Sequence, residues 1–100
     1  MIIYSVTYAL DDSIEQNWVN FMKSVFLPEM MNSGYFEDYT FTRIVPQEGM
    51  DTAYNIQYQC FNNEKLELFL SKEKDSIDSS MVNQFSGKFA SFFTKLEVIQ

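Results

Sequence analysis

A chain of 100 residues, 46% hydrophobic and 17% aromatic, is the size of one domain and carries enough apolar side chain for a core without staples. Its net charge of −7, with seven scattered cations and no His, excludes nucleic acid and anionic membrane as partners, because both are bound by clustered Lys and Arg. The missing His also removes Ser–His–Asp triads, His-ligated zinc and His proton shuttles.

The opening Met1 to Leu10 alternates with a period of two, setting Ile2, Tyr4, Val6, Tyr8 and Leu10 against Ser5, Thr7 and Ala9, the pattern of a half-buried strand. Asp11-Asp12-Ser13 stops it, and Asp12 or Ser13 is expected to cap a helix. Ile14, Trp18, Phe21, Met22 and Val25 then trace one helical face. Pro28 should kink or restart this helix, and Gly34 should end it. Tyr35 to Val45 reads as a second strand with Tyr39, Phe41, Arg43 and Val45 on its apolar face. Pro46 to Gly49 makes the turn into a third strand, Ala53 to Phe61, with Tyr54, Ile56, Tyr58 and Cys60 facing the same layer. Asn62 or Asn63 caps a second helix reaching Phe85, with a break expected near Asp75-Ser76. Lys88 to Ile99 closes the chain as a fourth strand, read with Ala90, Phe92, Thr94, Leu96 and Val98 on its helix-covered face.

This order is βαββαβ, the ferredoxin-like α+β arrangement. It predicts a four-stranded antiparallel sheet in the order 4-1-3-2, with helices near 12–33 and 63–85 on one face. The second face would then carry Ser5, Thr7, Thr40, Thr42, Asn55, Gln57, Gln59, Lys95 and Glu97, with Phe89 and Phe93 as large exceptions. Such a face is either solvated or set against its counterpart in a second copy. Two Phe side chains among neutral amides and hydroxyls favour a homodimer, with Thr7, Thr40, Phe89 and Phe93 as interface candidates.

Several residues invite a functional reading beside a structural one. Arg43, on a face expected to be buried, is either an anion anchor or a side chain snorkelling to a surface carboxylate. Tyr4, Tyr8, Tyr39, Tyr54 and Tyr58 could line a pocket with hydroxyls or simply pack. Arg43, Tyr39, Tyr58, Asn55 and Gln57 are the binding candidates. Asp11-Asp12 reads as a helix cap rather than a metal site. Cys60 reads as an inert core thiol, and the lone Cys makes an intrachain disulfide impossible and points to a reducing compartment. The apolar residues form no run long enough to span a bilayer and no secretory signal opens the chain, so the cytoplasm is expected. No metal and no cofactor is implied by any spacing.

The elements MIIYSVTYALDDSI, FLPEMMNSGYF, YNIQYQC and FSGKFASFFTKLEV resemble a bacterial family known as domain of unknown function 4286, placed among ferredoxin-like dimeric α/β-barrel proteins. The resemblance covers essentially the whole chain and rests chiefly on Pro28-Glu29, Gly34, Phe36 and Gly87-Lys88-Phe89. It implies a dimer with facing sheets and no particular activity. A His common two residues before the proline in that pattern is replaced here by Phe26. Two classes of function follow: a homodimeric module that binds a small molecule or a protein, or a small cofactor-free enzyme of oxygenase or isomerase type working through Tyr, Arg and carboxylates.

Overall fold

The computed structural model describes residues 1–100. Strand β1 (Ile2–Leu10) leads into a 3₁₀ turn (Asp12–Ile14), helix α1 (Glu15–Phe21), a π-helical segment (Met22–Phe26) and helix α2 (Leu27–Asn32). Strands β2 (Asp38–Arg43) and β3 (Thr52–Cys60) follow, then α3 (Asn63–Lys72), α4 (Lys74–Phe85) and β4 (Phe89–Glu97). The sheet order is β2-β3-β1-β4 and every pairing is antiparallel, as expected from the sequence.

Local chemistry sets the ends of these elements. Asp11, rather than Asp12 or Ser13, caps the 3₁₀ turn, accepting from the Ser13 amide at 2.9 Å and its hydroxyl at 2.7 Å. Asn62 caps α3 by accepting from the Lys65 amide at 2.9 Å. Gly34 takes φ 83° just past α2, a conformation that costs a Cβ-bearing residue steric strain.

Pro28 restarts the helix, standing in the first turn of α2. The π-helical segment directly before it, closed by the Leu27 amide on the Met22 carbonyl, absorbs the ring and the missing N–H. That wider turn adds one residue and rotates the helix face by roughly 100°. The helical spacing expected Val25 inside; Val25 is exposed, while Phe26 and Leu27 are buried. The break in the second helical segment falls at Glu73, two residues before the expected Asp75.

All helices lie on one side of the sheet. Tyr4, Val6, Tyr8 and Leu10 of β1 and Tyr54, Ile56, Tyr58 and Cys60 of β3 meet Trp18, Phe26, Leu66, Phe69, Met81 and Phe85 in a single core. Trp18 is fully buried, its ring 5.2 Å from both Tyr8 and Tyr54 and 5.9 Å from Phe41. No helix is long and apolar enough to cross a membrane.

The phase of β4 is the one large correction. Val6 pairs with Phe93, Tyr8 with Ser91 and Leu10 with Phe89, and directly opposed residues share a face. Phe89 and Phe93 therefore stand on the helix side, where Phe93 meets Tyr4 at 5.3 Å and Phe89 meets Tyr8 at 6.2 Å. Ala90, Phe92, Thr94 and Leu96 take the open side, opposite Ala9, Thr7, Ser5 and Ile3. The strand FASFFTKLE puts Phe on both faces, so hydrophobicity alone did not fix its phase. A one-residue slip exchanges the faces completely.

Candidate functional site

The two sides of the sheet offer different chemistry. On the open side, Thr42, Asn55, Thr7 and Phe92 form one row across the strands, and Thr40, Gln57, Ser5 and Thr94 the next. Asn55 organises the centre: its Nδ2 donates to Ser5 Oγ at 3.0 Å, Thr7 Oγ1 at 3.1 Å and the Val6 carbonyl at 3.3 Å. Asp38 is the one charged residue that the strand pairing places on this side. Phe92 is 64% exposed and Leu96 40% exposed there. A neutral, half-apolar face of this kind suits contact with protein better than contact with water.

On the helix side, β4 is not covered. Helix α4 turns only Ile77, Met81 and Phe85 inward, a stripe too narrow to reach the edge strand. The neighbouring row Lys74, Asp78 and Val82, spaced by four, faces β4 across a gap instead. Two adjoining cavities of about 430 and 390 Å³ fill that gap and share Tyr8, Lys74, Asp78 and Ser91. Tyr4, Val6 and Tyr8 form the floor, Phe89, Ser91 and Phe93 the β4 wall, and α4 the other wall. The Lys74 Nζ donates to Asp78 Oδ2 at 2.7 Å, one turn apart.

The electrostatics of this groove centre on tyrosine. Burial, and after it the Asp78 charge, pushes the Tyr4 hydroxyl well above the ordinary phenol range. Tyr8 is raised by burial first and by Asp78 next. Tyr58, behind them, is raised by burial and by its coupling to Tyr8, Tyr4 and Asp78. Its hydroxyl is buried with no hydrogen-bond partner. These phenols stay protonated at any ordinary pH, so those of Tyr4 and Tyr8 that line the groove are available to a ligand as donors and not as bases.

The residues singled out from sequence do not converge. Arg43, Tyr39 and Tyr58 lie on the helix side, while Asn55 and Gln57 lie on the open side. Arg43 snorkels: its Nη2 is 3.4 Å from Glu15 Oε2, which also accepts from the Tyr54 hydroxyl at 2.7 Å. Cys60 donates to the Tyr35 carbonyl at 3.3 Å, and burial pushes its thiol up, as an inert core thiol requires. Lys95 pairs with Glu67 of α3, not with Glu97. Thr7 and Thr40 occupy the open face as expected; Phe89 and Phe93 do not, and Phe92 stands there instead.

Sequence reasoning missed Lys74, Asp78 and Ser91. The polar run Ser71 to Asp78 read as a helix break, and the phase error in β4 put Ser91 on the wrong face. The usable signal was the four-residue spacing Lys74, Asp78, Val82 beside the apolar Ile77, Met81, Phe85.

The family model described as "Domain of unknown function (DUF4286)" matches residues 1–99. No curated protein matches the chain. Among solved structures, a dimeric ferredoxin-like protein from an uncultured marine organism superposes with a TM-score of 0.73 at 15% identity, covering 99% of this chain and 96% of its own. A putative antibiotic biosynthesis monooxygenase from Deinococcus radiodurans gives 0.72 at 11% identity, with 100% and 94% covered. The cofactor-independent oxygenase SnoaB from Streptomyces nogalater gives 0.67 at 8% identity, with 99% and 93% covered. These likenesses are of fold.

Proposed function

This chain belongs to the DUF4286 family, and on that premise we propose that it is a homodimeric binding module. Two copies join through their open sheet faces, and each holds a small molecule in the groove between α4 and β4. The observation that carries this reading is the uncovered helix side of β4: its Phe89, Ser91 and Phe93 border a cavity where the helix-facing residues of the central strands β1 and β3 are buried. A groove of about 430 Å³ with an aromatic floor and a few polar groups is of the size and composition that small ligands occupy. The dimeric ferredoxin-like neighbour and the nearly uncharged open face support the pairing. A single buried thiol suits the cytoplasm as its compartment.

The oxygenase-like fold neighbours keep a cofactor-free enzyme as the competing reading. Neutral tyrosines supply donors to a bound molecule, and the Asp78 carboxylate beside them is already paired with Lys74, which favours binding over turnover. Sedimentation equilibrium at micromolar concentration tests the dimer. A mass of two chains is expected, shifted toward one by Phe92→Glu and little changed by Phe93→Glu, which alters the opposite face. A fragment library screened by amide chemical shifts tests the groove. Shifts are expected at Asp78, Val82 and Ser91; a library that moves none of them would sink the binding reading.

A further inference from the structure

We infer that the groove ligand is uncharged: an apolar body bearing a neutral hydrogen-bonding group such as a hydroxyl or a carbonyl. This ligand class rests on the binding reading and specifies the chemistry of that site. Two charged residues, Lys74 and Asp78, line both cavities. Their side chains are 29% and 32% exposed and already meet each other at 2.7 Å, one helical turn apart. A ligand charge seated beside the pair is attracted by one member and repelled by the other at nearly the same distance, so the two effects largely cancel. It would still lose hydration on entering, a heavy cost for a charge that gains no partner. Asp75 borders the first cavity alone and is exposed, so solvent screens it. No charge in the groove is free for a ligand.

The remaining lining is neutral. Tyr4 and Tyr8 are only 3% and 5% exposed, so the floor offers a ligand little ring surface. The apolar surface still open lies on the two walls, where Phe93 of β4 is 42% and Val82 of α4 49% exposed. Both gain by covering with hydrocarbon. Ser91 stands between Phe89 and Phe93 on the same face of β4 and lines both cavities. Its hydroxyl can donate or accept, so it matches a hydroxyl or a carbonyl without calling for a charge. A body laid against Phe93 and Val82, with its polar group at Ser91, leaves the Lys74–Asp78 pair closed.

The test uses three probes of one shape, phenethyl alcohol, phenethylammonium and phenylacetate, titrated into the intact protein and followed by amide shifts of the groove residues. Phenethyl alcohol should bind most tightly, with an affinity that salt leaves unchanged. Unpairing the charges should favour the ions. Lys74→Met bares Asp78 and should raise phenethylammonium affinity roughly fivefold, and Asp78→Asn bares Lys74 and should raise phenylacetate affinity as much. The double variant should restore the wild-type order, and each variant should keep its unfolding midpoint within a few degrees. Ser91→Ala should weaken the alcohol roughly fivefold. A wild type that prefers either ion overturns the neutral ligand while leaving the groove a binding site. Single variants in which neither ion gains, or an alcohol affinity untouched by Ser91→Ala, do the same. Silence from all three probes overturns it as well, and the library screen then judges the groove independently.

Discussion

Strands β1 and β4 pair along their full nine-residue lengths, yet their environments are opposite. Every second residue of β1 from Tyr4 to Leu10 is buried beneath helix, while no residue of β4 is. The difference does not lie in the strands, since both carry aromatics. It lies in what the helix layer can reach: helices with narrow apolar stripes bury one face of the central strands β1 and β3, and neither edge strand, β2 or β4, has a buried residue. The sealed central pair β1 and β3 holds the molecule together, and the uncovered edge at β4, facing α4 across a cavity, is where it can meet something else.

That contrast predicts unequal costs for removing aromatic rings. Trp18→Ala should destabilise the protein by about 3–5 kcal/mol, because a fully buried ring packed on three others leaves a cavity that the fixed sheet cannot close. Phe93→Ala, on the same side of the sheet but 42% exposed, should cost roughly 1 kcal/mol. Equilibrium denaturation in urea measures both. A comparable loss at the two positions would show that β4 belongs to the sealed region after all.

The same division explains what could be read from the sequence. In β1 and β3 a single buried face forces strict alternation, so their inward faces and the strand order are legible in the sequence. In β4 nothing forces it. Phe92 and Phe93 stand side by side, one on each face, so the alternation fits either phase. The π-helical segment was invisible for a related reason. Pro28 announced a disturbance, but whether the chain bends or widens to absorb it depends on tertiary packing of Phe26 and Leu27. The groove depends on an absence of cover, which no local pattern reports.

A second difference concerns pH. Tyr4, Tyr8 and Tyr58 all have hydroxyls raised above the ordinary value of 10.0, chiefly by burial. An unfolded tyrosine loses its proton near that value while the folded one keeps it. The folded state therefore binds more protons in strong alkali, and stability falls as pH rises. Their contribution is whole below pH 10.0 and is lost above it, at roughly 1.4 kcal/mol per pH unit for each tyrosine. Absorbance of phenolate against pH should show three of the six tyrosines silent until the chain unfolds. Smooth ionisation of all six in the folded protein would mean that the groove admits water to its floor.

Within that set, Tyr58 can be separated from its neighbours. Its hydroxyl is buried without a partner, so folding strips it of water and returns nothing. Tyr58→Phe removes that cost and keeps the ring contacts with Phe36 at 5.0 Å and Tyr4 at 5.8 Å. A gain of about 1 kcal/mol is expected. A loss of similar size in a denaturation series would show that the hydroxyl has a bound water as its partner.

The smallest expected effect belongs to Arg43, at the opposite edge of the sheet from the groove. It borders a shallow cavity of about 290 Å³ with Lys23, Val19 and Tyr54, which is the place an anion anchor would occupy. Its guanidinium already faces Glu15 at 3.4 Å, with the Arg side chain 50% exposed. A carboxylate fills the role that an incoming anion would take, and Glu15 is fixed there by the Tyr54 hydroxyl. Exposed pairs of this kind contribute little, because solvent screens the charges and two long side chains must be ordered to meet. Arg43→Ala should therefore cost less than about 1 kcal/mol, and high salt should shrink even that. Phosphate and small carboxylates should leave the unfolding midpoint of wild type and variant equally unmoved. If phosphate stabilises the wild type and not Arg43→Ala, this edge of the sheet binds anions, and the division between a closed structural region and a single open groove fails.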